Sequence, residues 1–357
     1  MAGKVLRRWI PVLFLLLVMG TLFWWARSRR PPAEYAMAYV VEPSAIVWNS
    51  NAQVRQPVAT LHYGDHVAIL QRSGERDEVR SDAGVRGWIE ASTLMDADLW
   101  QQSATLLTRA KSLPVQASGH TRTISNVRLT AGRDGPRIFQ LGRNEPVVVL
   151  ERSSGPVPTG GSEVTPTSTG QNLPKLEDWL LILRTPPAAP AAGTAPIASP
   201  GTTGATTTPA VPIAGWVLAR FVELDPPAPI PDYFSAAEIR VVAWAVLNMV
   251  EDESGPKPQY LVAGARGGEG QPCDFSILRV YTWGSARHRY ETAYVENDIC
   301  GRLPIRVSSS AAGDEFRFAD PMQSGADRIY RMRQTSVRRV TEAATKAAAP
   351  PRPRAKR

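Results

Sequence analysis

Histidine and cysteine are scarce in this chain: four and two among 357 residues. Few imidazoles leave few general acid–base groups near neutral pH. His62 and His66 flank Gly64-Asp65 in a predicted turn rather than sharing a helix face, so they do not form a metal pair. Cys273 and Cys300 have no histidines at ligand spacing and make no zinc site. His288 follows Cys273 between Arg287 and Arg289, and no histidine follows Cys300, which argues against a Cys–His nucleophile. The motifs GxSxG, HExxH and GxxxxGK(S/T) are missing, and Gly264-Ala265-Arg266-Gly267-Gly268-Glu269-Gly270 lacks the spacing of a dinucleotide loop. Scattered carboxylates remain as a source of an acid–base pair. The expectation is a non-enzyme with no catalytic residue, metal or cofactor.

Net basic charge is plentiful but lies outside the body, where acidic residues outnumber the basic ones. The composition, 43% hydrophobic and 21% charged, predicts two or three compact domains and excludes a fibrous or wholly disordered chain. Of the net +8, residues 1–30 carry +6 and the tail from Val337 another +6, which leaves −4 for residues 31–336. A mildly acidic body lacks the clustered cations that a phosphate backbone requires, so no nucleic-acid partner is expected. The tail Pro350-Pro351-Arg352-Pro353-Arg354-Ala355-Lys356-Arg357 suits anionic headgroups or acidic wall polymers.

From Trp9 to Ala26 runs an uncharged stretch of 18 residues, long enough as a helix to cross most of a bilayer core. It is a membrane segment or a signal peptide. Arg27, Arg29, Arg30, Pro31 and Pro32 follow where a cleavage site would need small residues, which favours an uncleaved single-pass anchor over residues 1–30. Three basic residues on each side leave orientation nearly balanced. The isolated pair Cys273 and Cys300 fits one disulfide in an oxidising compartment, with two unrelated buried thiols as the alternative. Such a bridge would close a loop worth about 3 kcal/mol in chain entropy. Together these place the body outside the cytoplasm, in the periplasm or beyond.

The chain also repeats itself. Ala45–Ser73 lies without a gap on Ser125–Ser153 at an offset of 80, matching Val47 to Val127, Leu61 to Leu141, Val67 to Val147 and Leu70 to Leu150. Gly87-Trp88-Ile89 matches Gly215-Trp216-Val217 at an offset of 128, so the second copy has gained 48 residues. They fall in two Pro/Thr/Gly/Ala-rich insertions, about 154–175 and 185–212, on either side of the strand-like block Asp178-Trp179-Leu180-Leu181-Ile182-Leu183. Each copy reads as short strands closing into a small barrel.

The order Asn126-Val127-Arg128, Leu141, Val147-Val148-Val149-Leu150, Asp178-Trp179-Leu180-Leu181-Ile182, Gly215-Trp216-Val217 and Phe221-Val222 resembles the bacterial Src-homology-3-like domain. The first copy resembles it through Ala45-Ile46-Val47-Trp48, Gly64-Asp65, Val67-Ala68-Ile69-Leu70, Gly87-Trp88-Ile89 and Leu94, departing where Trp48 replaces an Arg and Asp77 stands in for a mid-domain Trp. The resemblance implies non-catalytic envelope modules at 36–98 and 115–225, often associated with wall binding. Trp88, Trp179 and Trp216 are the aromatics that could face a ligand, although a ring behind a strand glycine more often fills a core. Between the copies, residues 99–114 place Leu99, Trp100, Leu106, Leu107 and Ala110 at helical spacing, a helical linker.

After residue 229 the sequence turns to β-rich runs, predicting an antiparallel domain of about seven strands over 233–342 and a basic disordered tail at 343–357. The run 241–250 is strand or helix by periodicity. Asp252-Glu253-Ser254-Gly255-Pro256-Lys257-Pro258-Gln259-Tyr260-Leu261-Val262 weakly resembles an FG-GAP-type hairpin, whose turn implies calcium. Ser254 and Gln259 stand where carboxylates are needed, so the acidic residues read as a solvated turn. The expected whole is mainly β: an N-terminal transmembrane helix, two small Src-homology-3-like barrels and a disulfide-bearing antiparallel domain. The expected function is non-enzymatic binding of peptidoglycan or another envelope polymer. A scaffold recruiting an envelope protein partner, or an accessory to a wall hydrolase, are the alternatives.

Overall fold

The computed structural model describes residues 36–157, 175–184, 212–235, 238–311, 313–323 and 327–340. The expected anchor from Trp9 to Ala26, most of both insertions and the tail at 343–357 lie outside them. Among the described residues no helix is long and apolar enough to cross a membrane. The chain forms two compact units, one ending at Ala97 and one beginning at Asp98.

The first unit is an antiparallel sheet of β1 (Ala36–Val40), β2 (Ser44–Trp48), β3 (Pro57–His62), β4 (His66–Ser73), β5 (Arg76–Ser81), β6 (Arg86–Glu90) and β7 (Leu94–Asp96), ordered β3-β2-β6-β5-β4-β1-β7. Alternation buries Val67 and Ile69 on β4, Val79 on β5 and Ile89 on β6 against Val40, Val47 and Leu61. The second unit repeats this order with β8 (Ala117–Thr121), β9 (Ser125–Arg128), β10 (Arg137–Leu141), β11 (Pro146–Pro156), β12 (Leu176–Arg184), β13 (Ile213–Leu218) and β14 (Val222–Leu224): β10-β9-β13-β12-β11-β8-β14.

Neither sheet closes into the barrel expected from the sequence. β3 and β10 pair only with β2 and β9, while the opposite edges are the three-residue strands β7 and β14, paired to β1 and β8. A sheet curled this tightly covers its core from several sides before its edges meet. The Gly-Trp pairs mark close crossings in both sheets: a Cβ at Gly87 would lie 2.4 Å from the Trp48 carbonyl, and one at Gly215 2.4 Å from Val127 Cγ1. Only glycine permits those crossings. Aligning the two glycines through their partners, Val79 and Ile182, sets Arg76 opposite Trp179 and Asp77 opposite Leu180, one residue from the sequence alignment.

The linker is helix α1 (Ala97–Lys111), whose Leu106, Leu107 and Ala110 pack with Leu150, Leu181 and Trp216 of the second sheet. The rest of this unit is α2 (Pro229–Ser235) and two four-stranded antiparallel sheets. One is β15 (Arg240–Val250), β16 (Lys257–Ala265), β17 (Ile277–Gly284) and β18 (Arg289–Glu296); the other is β19 (Arg302–Ser310), β20 (Gly313–Ala319), β21 (Asp327–Arg333) and β22 (Ser336–Val340). Eight strands replace the expected seven because the run 328–340 turns at Gln334, with φ 54°, and doubles back. The run 241–250 is a strand. A shared core that includes Leu261, Val280, Phe275, Phe316, Phe318 and Tyr330 joins the two sheets, with Phe316 and Tyr330 stacked at 4.9 Å. Phe234 of α2 covers the other face of the first, beside Tyr281.

Candidate functional site

The second curled sheet and the eight-stranded part meet over polar chemistry. Arg152 sits on β11 beyond a bulge between Val149 and Glu151, and its side chain is 2% exposed. Its Nη2 donates to Asp178 Oδ1, its Nη1 to Asp274 Oδ1 at 2.8 Å, and it also reaches the Gln271 carbonyl at 3.1 Å. Burial opposes the charge on Arg152, but hydrogen bonds and charges from Asp178 and Asp274 outweigh it and hold the guanidinium above its ordinary value. Asp178 also accepts from the Gly270 amide at 2.8 Å, and Asp274 from the Leu303 amide at 2.8 Å and Arg302 at 3.0 Å. One buried cation thus ties β11 and β12 to the loop before β17. The Cys273–Cys300 disulfide, formed as one of the two alternatives predicted, ties that loop to the segment just before β19.

A second chain of ion pairs runs beside the first. Glu177, 2% exposed, takes both fork nitrogens of Arg133 at 2.8 and 2.9 Å and Arg220 Nη2 at 3.3 Å. Its hydrogen bonds to Arg133, against the opposing effect of burial, hold its carboxyl below the ordinary range. Arg220 reaches on to Glu269 at 3.4 Å. Behind it opens a cleft of about 540 Å³, floored by Val149, Leu180, Val222 and Val241 and edged by Arg220 and Arg240. Its volume lies in the range of small-ligand clefts, as do those of others on the described surface.

The three candidate tryptophans are not brought together at this cleft. Trp88 is on β6 of the first unit, half-buried opposite Trp48, over which Arg55 stacks at 4.5 Å. Trp216 is half-buried beneath helix α1. Trp179 is 3% exposed and belongs to the core. Asp252, of the FG-GAP-like turn, accepts from the Ser254 amide and hydroxyl and from Trp283 Nε1, bonds that hold its carboxyl well below the usual range. Those bonds make it a turn cap. Among the described residues no cluster of His, Cys, Asp or Glu could hold a metal.

Sequence reasoning passed over Arg152 and Asp178. The available signal was a charge set against an apolar strand, Arg152 just after Val147-Val148-Val149-Leu150 and Asp178 just before Trp179-Leu180-Leu181-Ile182. Charges so placed need partners.

No family profile and no curated protein sequence matches the chain. Among solved structures, NlpC2 from Trichomonas vaginalis is similar at 10% identity, with 85% of this chain and 95% of that one covered and a TM-score of 0.16. NlpC1 from the same organism is similar at 9% identity, over 87% and 93%, with a TM-score of 0.16. An NlpC/P60 family protein from Bacillus cereus ATCC 10987 is similar at 9% identity, over 73% and 94%, with a TM-score of 0.20. Scores this low carry no argument about fold or chemistry.

Proposed function

We propose that this chain is a membrane-anchored, non-enzymatic envelope protein whose two curled sheets are Src-homology-3-like modules that bind peptidoglycan or another wall polymer. The observation that supports this reading is the duplicated strand order, one copy in each unit, with a Gly-Trp pair at a close strand crossing in both. Two copies of a small module suit a repetitive polymer, because a second contact forms at high effective concentration once the first is made. The disulfide fits an oxidising compartment. The test is co-sedimentation of the full chain with purified sacculi at physiological salt. Retention in the pellet, reduced at least tenfold by deletion of residues 36–97, is expected. A protein that stays in the supernatant overturns the reading.

A second reading, a scaffold for an envelope protein, is favoured by Val246 and Met249, 49% and 46% exposed on the edge strand β15. Edge strands with outward apolar residues offer a surface for strand addition. Crosslinking would then yield one dominant protein partner in place of wall material.

A further inference from the structure

Two polar atoms beside the cleft are buried without a hydrogen-bond partner among the described residues: Asp178 Oδ2 and Arg152 Nε. Asp178 lines the cleft, and the cation facing its Oδ2 is Arg240 Nη2 at 4.0 Å. That distance is too long for a hydrogen bond and matches one oxygen at about 2.8 Å from each; because Oδ2 is covered, the half-exposed Arg240 side chain must swing aside to admit it. Such an oxygen must accept from the guanidinium and donate to the carboxylate. An ammonium cannot accept and a carboxylate cannot donate; a water does both, and so does a ligand hydroxyl that displaces it.

The remaining charge specifies more. Four arginines and three carboxylates line the cleft. Arg152 is committed to Asp178 and Asp274, and Arg122 to Glu223 at 3.0 Å. Arg240 is the loosely held cation, 50% exposed with its ion pair at 4.0 Å, and Arg220, 42% exposed, is held by long hydrogen bonds to Glu177 at 3.3 Å and Glu269 at 3.4 Å. Both can turn toward an incoming anion.

We propose that this cleft binds a saccharide carrying a carboxylate, with a ring hydroxyl bridging Asp178 and Arg240, the carboxylate meeting Arg220, and the ring's apolar face on Val222 and Val241. The cleft is large enough for one or two sugar rings. This proposal rests on the wall-binding reading and names the part of the polymer recognised: an acidic sugar whose carboxylate is free, such as a muramic residue that carries no stem peptide.

The test is calorimetric titration of the full chain with N-acetylmuramic acid, which bears a carboxylate, with N-acetylglucosamine, which does not, and with the dipeptide L-alanyl-D-glutamate. Binding of the acid sugar at least tenfold tighter than the neutral sugar is expected, with a tenfold or greater loss in Arg240→Gln, whose exposed side chain leaves the fold intact. Asp178→Asn, checked for an unchanged circular-dichroism spectrum, should lose at least as much. Equal binding of both sugars, preference for the dipeptide, no binding of any probe, or an unchanged Arg240→Gln each overturns the proposal. Sacculus sedimentation run in parallel separates the two ideas: pelleting without sugar binding refutes the cleft alone, and sugar binding without pelleting refutes the wall-binding reading alone.

Discussion

Replacing Arg152 by methionine keeps much of the side chain's length and removes its charge. Asp178 and Asp274, each 1% exposed, would lose the buried guanidinium they share, and Asp274 would keep only the half-exposed Arg302 as a charged neighbour. Removing one partner of a buried ion pair typically costs about 3–5 kcal/mol, because the remaining charge stays desolvated. At about 2–4 °C per kcal/mol for a unit of this size, the melting temperature should fall by ~6–20 °C. Adding Asp178→Asn and Asp274→Asn to Arg152→Met removes the stranded charges but keeps acceptors for the Gly270 and Leu303 amides. This triple variant should therefore recover part of the loss, whereas alanine at the two positions should not. Differential scanning calorimetry reads the melting, and hydrogen exchange at the Gly270 and Leu303 amides locates the loosening. A shift under 2 °C in Arg152→Met, or no recovery in the triple variant, would refute the view that this network governs the joint.

Two further outcomes follow from the same region. Replacing Cys273 and Cys300 by serine opens a loop whose closure is worth about 3 kcal/mol, so calorimetry should show a lower melting point, and exchange should rise first around Gln271 to Asp274. Uniform exchange changes would count against the loop's role in holding Arg152. For Glu177, a carboxyl held below its ordinary value of 4.5 lends stability that is whole above that pH and is lost as pH falls through the depressed value. Glu177→Gln should therefore melt well below the parent at pH 7, with the difference shrinking in melts taken below pH 4.5; a constant difference across that range would contradict the assignment.

The curled sheets were legible because their signals are local. Alternation in Val67 to Leu70 and Val147 to Leu150, and the recurring Gly-Trp pair, are set by strand geometry within each copy. Closure was not legible, since whether β3 meets β7 depends on curvature accumulated over seven strands. The cleft was hidden for a different reason. Arg152, Asp178 and Asp274 are 26 and 122 positions apart when counted from Arg152, and no spacing rule links them. The hairpin at Gln334 was missed because the run 328–340 contains no glycine or proline to mark its turn.

Strand β12 occupies an unusual place in the chain. It is the central strand of its sheet, bonded on one side to β11 and on the other to β13, yet in sequence it stands between the two long insertions. Its first residues after Leu176, Glu177 and Asp178, are those that hold Arg133, Arg220 and Arg152. Cutting the backbone within both insertions would turn these nine residues into a separate peptide retained by its ladders and ion pairs alone. The module is thus a natural three-piece assembly, suited to fragment complementation: a synthetic β12 peptide, labelled or altered at Asp178, could be exchanged into the remaining chain to report on the cleft from its centre.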